Sequence, residues 1–139
     1  NVRKSIHTLQ SNAKKDPNKK YILLVDDLTY ITKTLTYILE NEYFEVHSAK
    51  CGIDALALFQ KIVPDIVITD IKLPDFNGFD LASFIRQMDS GVPIIFISAL
   101  EIDSEKYALL QGEKAYLQKP IIKEALFETL NKLLTSAES

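Results

Sequence analysis

The 139 residues are 47% hydrophobic and 25% charged, with a formal net charge of −3. That length suits one domain with a real core. The acidic balance argues against direct nucleic-acid binding or broad attachment to a membrane surface. No stretch is long or apolar enough for membrane insertion, and no signal peptide is visible. A lone cysteine, Cys51, excludes an intrachain disulfide and gives no reason to invoke an oxidising compartment, so a cytoplasmic location is expected. Near a helix start, it reads as a half-buried small apolar residue. The chain does not begin with Met, as expected of a fragment or a processed protein.

Residues 1–19 differ from the rest. Val2, Ile6 and Leu9 recur at helical spacing, then a polar, turn-rich run follows, which reads as the end of a preceding element and a linker. His7 lies there without a partner of its kind and reads as surface. From Tyr21 the pattern becomes regular. Tyr21 to Val25 is a continuous apolar run, a buried strand ending at Asp26-Asp27. Ile31, Leu35, Ile38 and Leu39 predict a helix from about Thr29 to Glu42. Phe44 to Ser48 alternates as a half-exposed strand does, with His47 an ordinary member of it. Ile53, Leu56, Ala57, Phe59 and Ile62 predict the next helix, closed by Pro64.

Ile66-Val67-Ile68-Thr69-Asp70 is the central feature: β-branched and apolar on both faces, as in the middle of a covered parallel sheet, and ending in one carboxylate. Leu81, Ala82, Phe84 and Ile85 then predict a buried helix face over Gly78 to Met88. Pro93 to Ile97 is a fourth strand reaching Ser98. A helix from about Ser104 to Gln111 is expected to stop at Gly112 as a left-handed cap. Ala115-Tyr116-Leu117 is a short fifth strand ending at Lys119-Pro120, and Ile122, Leu126, Leu130 and Leu133 form the apolar stripe of a last helix. Five strands alternating with five helices predict an α/β fold, a three-layer doubly wound (βα)5 parallel sheet. The half-exposed second strand and the short fifth strand belong at its edges, giving the flavodoxin-like strand order 2-1-3-4-5. The expected domain covers residues 20–135, with 136–139 as a short tail.

In such sheets ligands bind beyond the carboxyl ends of the strands. Asp26 and Asp27, Asp70, Ser98 and Lys119 all stand at those ends. Any one of them alone is an ordinary strand-end or helix-cap residue; two successive acids, a third acid, a hydroxyl and a lysine on four strands are not. Crowded carboxylates repel unless a cation is present, and hard oxygen ligands without His or Cys suit Mg²⁺. A cation, a lysine and a hydroxyl around one free carboxylate would neutralise a phosphoryl group in transfer, with Asp70 as nucleophile forming an acyl phosphate.

Ile22 to Asp27, Thr69 to Pro74 with Asn77-Gly78, Ile97-Ser98-Ala99 and Tyr116 to Pro120 together resemble the receiver (chemotaxis-protein-like) domain of two-component response regulators and hybrid histidine kinases. The resemblance implies a phosphorelay signalling switch rather than an enzyme, catalysing only its own Asp phosphorylation and slow self-dephosphorylation. Asp70 would be the phosphoacceptor, and Asp26, Asp27, Asp70 and the backbone carbonyl of Lys72 would hold Mg²⁺. Lys119 would pair with the phosphoryl group across a cis peptide to Pro120, and Ser98 and Tyr116 would form the switch pair. Lys72, Ala99 and Leu100 would flank the site, and Leu100 lacks a polar group to orient a hydrolytic water. The implied donor is a sensor histidine kinase or histidine phosphotransfer protein. The responding face is that of the fourth helix, fifth strand and last helix, through which a homodimer could also form. The chain is then a stand-alone receiver, part of a longer regulator, or the receiver of a hybrid kinase. No DNA-binding or enzymatic output domain is expected within it. Two other classes fit less well. A phosphatase of the haloacid-dehalogenase-like type wants a second acid two residues after the nucleophile, which Asp26-Asp27-Leu28 and Asp70-Ile71-Lys72 lack. A flavin carrier wants a phosphate cradle where two acids stand.

Overall fold

A computed structural model describes residues 17–138. In chain order the elements are β1 (Lys20–Val25), α1 (Thr29–Glu40), β2 (Phe44–Ala49), α2 (Gly52–Ile62), β3 (Ile66–Asp70), α3 (Gly78–Met88), β4 (Ile94–Ser98), α4 (Ser104–Leu109), β5 (Lys114–Gln118) and α5 (Lys123–Glu138). The five strands form one parallel sheet in the order β2-β1-β3-β4-β5, as the burial pattern of the sequence predicts. His7 and most of the expected linker lie outside the described residues. The helix α5 runs on to Glu138, through most of the stretch expected as a tail. Among the described residues no helix is long and apolar enough to cross a membrane.

Alternation along each inner strand sends successive side chains to opposite faces, so the sheet feeds two cores. Leu23, Val25, Val67, Ile94 and Phe96 meet Ala55 and Phe59 of α2 and Leu81, Ala82 and Ile85 of α3. Ile22, Leu24, Ile66, Ile68, Ile95 and Ile97 meet Leu35 and Leu39 of α1 and Leu126, Leu130 and Leu133 of α5 on the other face. All residues of β3 and β4 are buried. Each is fully sandwiched, which is why their sequences are apolar without alternation. The edge strands β2 and β5 are only partly covered.

Several local expectations change. Ile53, Phe84 and Ile122 are 64%, 43% and 63% exposed, and Ala57 is exposed too. The apolar face of α2 is narrower than its sequence, carried by Ala55, Phe59 and Ile62. Ile122 precedes α5 rather than belonging to its stripe. Phe84 instead packs edge-on to Phe76 at 5.4 Å, outside the core. The helix α1 ends at Glu40 because the chain turns through Tyr43, at φ 66, to enter β2. Pro64 is preceded by Val63 at φ 48, and Val63 is the residue that caps α2. A left-handed β-branched residue is strained; Val63 is fully buried, and its N–H closes the helix by donating to Phe59 O at 3.0 Å.

The helix α4 ends at Leu109, two residues early, and Gly112 is not its cap. The Lys114 ammonium donates to the carbonyl oxygens of Tyr107 and Leu110, satisfying the helix end from the following strand. Gly112 does have a positive φ of 86. It lies under the Arg86 guanidinium, which donates to the carbonyls of Gln111, Val92 and Glu113. A Cβ there would stand 2.6 Å from Arg86 Nε.

Candidate functional site: an acid cluster at the carboxyl edge of the sheet

Parallel pairing aligns the carboxyl ends of the strands, with Val25 opposite Thr69, Asp70 opposite Ile97 and Ser98 opposite Gln118. The ladder continues one residue beyond several strands. Asp26 N–H donates to Ala49 O at 3.1 Å, Ile71 N–H to Ile97 O at 3.1 Å and Lys119 N–H to Ser98 O at 2.7 Å. These bonds fix the backbone of the predicted site residues, so their side chains share one edge although they are distant in sequence.

Asp26 is fully buried and Asp70 is 6% exposed. The Lys119 ammonium bridges them, 2.8 Å from Asp26 Oδ2 and 3.2 Å from Asp70 Oδ2. The other Asp26 oxygen accepts the Leu28 N–H at 3.0 Å. Asp70 Oδ1 accepts the Lys72 N–H at 3.3 Å. Burial pushes the Asp26 carboxyl above its ordinary range, although the Lys119 and Leu28 hydrogen bonds pull it down. Burial alone would lower the Lys119 ammonium; the bonds to Asp26 and Asp70 outweigh it and raise its pKa. One carboxylate oxygen from each of Asp26, Asp27 and Asp70 lies within 4.8 Å of the others.

Above this cluster opens a cleft of ≈ 430 Å³. Asp27, Asp70, Lys72, Ser98, Ala99, Leu100 and Lys119 all line it, and Leu28, Leu73 and Pro74 complete its wall. Asp26 is not among the lining residues. Ser98 Oγ accepts the Leu100 N–H at 3.1 Å. Tyr116 does not line the cleft; its hydroxyl donates to Leu100 O at 2.8 Å. Ser98 and Tyr116 therefore hold the two sides of the same loop residue. The Lys119–Pro120 peptide is cis, and Pro120 is exposed and does not line the cleft.

The profile of the response regulator receiver domain matches residues 22–131. The chain belongs to this family. The receiver is 30% identical over 118 residues to the chemotaxis protein CheY of Halobacterium salinarum, covering 84% of this chain and 98% of that one. It is 33% identical over 114 residues to the transcriptional regulatory protein TrcR of Mycobacterium tuberculosis, covering 81% of this chain but only 44% of the longer relative. A solved CheY-like receiver from Methanospirillum hungatei superposes with a TM-score of 0.81 at 30% identity, over 86% of this chain and 97% of that one. The receiver is thus the kind of domain that serves two-component signalling, both in single-domain proteins and within larger regulators.

Sequence reasoning missed one polar residue beside the site. Asp75 looks like an ordinary turn residue, yet its Oδ1 accepts the Gly52 N–H at 2.8 Å and its Oδ2 the Ile53 N–H at 2.9 Å. Oδ1 also accepts the Phe76 N–H at 2.9 Å. The slight burial of this carboxyl raises its pKa, but the donors of Ile53, Gly52 and Phe76 outweigh that and hold it at about 2. The only local sign was Cys51, a poor capping residue at the start of α2.

Proposed function

We propose that this receiver takes a phosphoryl group from a phosphohistidine donor, a sensor histidine kinase or a histidine phosphotransfer protein, onto Asp70. The observation that carries the reading is the Lys119 ammonium shared between buried Asp26 and Asp70 at the floor of an open cleft. An Asp70 oxygen forms the new bond to phosphorus as the phosphorus–nitrogen bond of the donor breaks, its electron pair returning to the imidazole. Lys119, already held over Asp70, balances the charge on the phosphoryl oxygens. The Ser98 hydroxyl, at the cleft wall, leaves the Leu100 N–H to donate to the phosphoryl group, and Tyr116, bonded to Leu100 O, follows the loop. That loop leads into α4, so the Asp70 state biases the α4-β5-α5 face for a partner or attached domain. The same face is the candidate homodimer surface.

The donor set suits Mg²⁺: three carboxylates with oxygens within 4.8 Å, and no nitrogen or sulfur ligand among them. Asp26, Asp27, Asp70 and the Lys72 carbonyl would hold the ion, which would supply positive charge to the phosphoryl oxygens. Catalysis by the domain is limited to its own phosphorylation and slow hydrolysis. The reading carries a cytoplasmic location, and the net charge of −3 supports the absence of direct nucleic-acid binding by the domain.

Incubation with Mg²⁺ and acetyl phosphate, followed by intact mass, tests the proposal. One phosphoryl adduct is expected in the wild type, and none in Asp70→Ala or in the presence of EDTA. Absence of an adduct together with absence of Mg²⁺ binding would overturn it. Beryllofluoride, as a phosphoryl mimic, then reports whether the α4-β5-α5 face changes and whether a dimer forms.

A further inference from the structure

The loop between β3 and α3 carries the Lys72 carbonyl, and the structure ties that loop down at two points. At its far end Gly78 N–H donates to Ile71 O at 2.7 Å, and a Cβ on Gly78 would stand 2.5 Å from Asp70 O. Only glycine allows this approach to the phosphoacceptor backbone. In the middle of the loop, both oxygens of Asp75 accept the first two N–H groups of α2. Of the two, the Ile53 N–H is the one that the residue just before the helix ordinarily satisfies, but Cys51 makes no side-chain cap. Beside this clip, Phe76 lies over Gly52, where a Cβ would stand 2.2 Å from the Phe76 ring. The start of α2 is thus shaped as a receptor for Asp75 and Phe76: an uncapped helix end, a residue without a side chain, and a carboxylate from 23 residues away.

We infer that Asp75 is a positioning residue of the phosphoacceptor site, clipping the β3–α3 loop to the N-terminus of α2 so that the Lys72 carbonyl and the Asp70 carboxylate keep their metal-binding placement. The inference rests on the reading of Asp70, Asp26 and Asp27 as the Mg²⁺ and phosphoryl site. Asp75 touches neither group; it acts by fixing the backbone between Ile71 and Phe76. Partners that orient ligands in this indirect way are worth about 10–100-fold in metal affinity.

Capping and positioning are separable because Cys51 has the extended backbone, φ −148 and ψ 167, that a local cap requires. Three proteins are compared: wild type, Asp75→Ala, and Cys51→Ser/Asp75→Ala, in which a serine hydroxyl replaces the cap but not the tether. Mg²⁺ titrations followed by backbone amide NMR, thermal melts and acetyl phosphate labelling are recorded for each. Asp75→Ala is expected to lower the melting temperature and to raise the Mg²⁺ midpoint by about tenfold. The double variant is expected to regain the melting temperature while its Mg²⁺ midpoint stays raised. Recovery of both properties by Cys51→Ser would reduce Asp75 to a helix cap and overturn the inference, as would an Asp75→Ala variant with the wild-type midpoint. A wild type that binds no Mg²⁺ would overturn the site reading and this inference with it, whereas a binding wild type beside an unaltered variant overturns this inference alone.

Discussion

Replacing Lys119 by Met removes the ammonium bonded to Asp26 and Asp70 while keeping most of the side-chain volume. The three side chains are only 11%, 0% and 9% exposed, so water screens the acids poorly. At 2.8 and 3.2 Å, with an effective dielectric constant of about 20, each attraction is gross ~5–6 kcal/mol, most of it offset by desolvation. Removing one partner of a buried pair typically costs about 3–5 kcal/mol; because the cleft lets water reach Asp70, about 2–4 kcal/mol is expected at about pH 8. The penalty should shrink with acid. The Asp26 pKa is already raised in the folded protein by burial, and loss of the Lys119 bond raises it further. Between the raised value of the wild type and the still higher one of the variant, the folded variant holds a proton that the folded wild type does not, so its stability relative to wild type improves as pH falls. Lys119 itself has a raised pKa, so in the wild type the stability from the pair is present below the ordinary lysine value and lost only as pH rises through the folded one. Urea unfolding of both proteins at about pH 8 and about pH 5, with and without Mg²⁺, reads all of this. Mg²⁺ should restore part of the loss by supplying the missing charge. A penalty equal at both pH values and untouched by Mg²⁺ would refute the electrostatic account of this cluster.

Two further substitutions probe the loops around the site. Leu100 is 73% exposed and lines the cleft, so Leu100→Asn should change stability by less than about 0.5 kcal/mol; by offering a polar group to a water, it should speed loss of the phosphoryl adduct several-fold, as followed by intact mass. An adduct that decays no faster than in wild type counts against that role. Gly112→Ala places a Cβ at φ 86 and against the Arg86 guanidinium, and should cost at least about 1 kcal/mol in thermal or urea unfolding. Because both residues hold the same turn, the cost should fall in an Arg86→Ala background; full additivity would show that Arg86 does not set the environment of Gly112.

Periodicity along the chain was enough to determine the order of elements, the parallel sheet and its buried centre. A strand with both faces covered is apolar along its length, as Ile66 to Ile68 are, with polar Thr69 and Asp70 only at its carboxyl end, and that pattern is local. The same logic placed Asp26, Asp27, Asp70, Ser98 and Lys119 on one edge, because every strand of a parallel sheet ends on the same side. Tertiary structure alone decided which of these groups touch. The Lys119 ammonium reaches Asp26 across 93 positions and Asp70 across 49, through sheet register that no local window contains. It also decided where helices stop and what they bury. The Lys114 ammonium ends α4 before Gly112. Phe84 and Ile53 stay outside because the helix surface facing the sheet is narrower than the apolar run in sequence. Asp75 shows the same limit most directly: a helix end is satisfied by whichever acceptor the fold brings to it, and here that acceptor comes from a loop 23 residues further on.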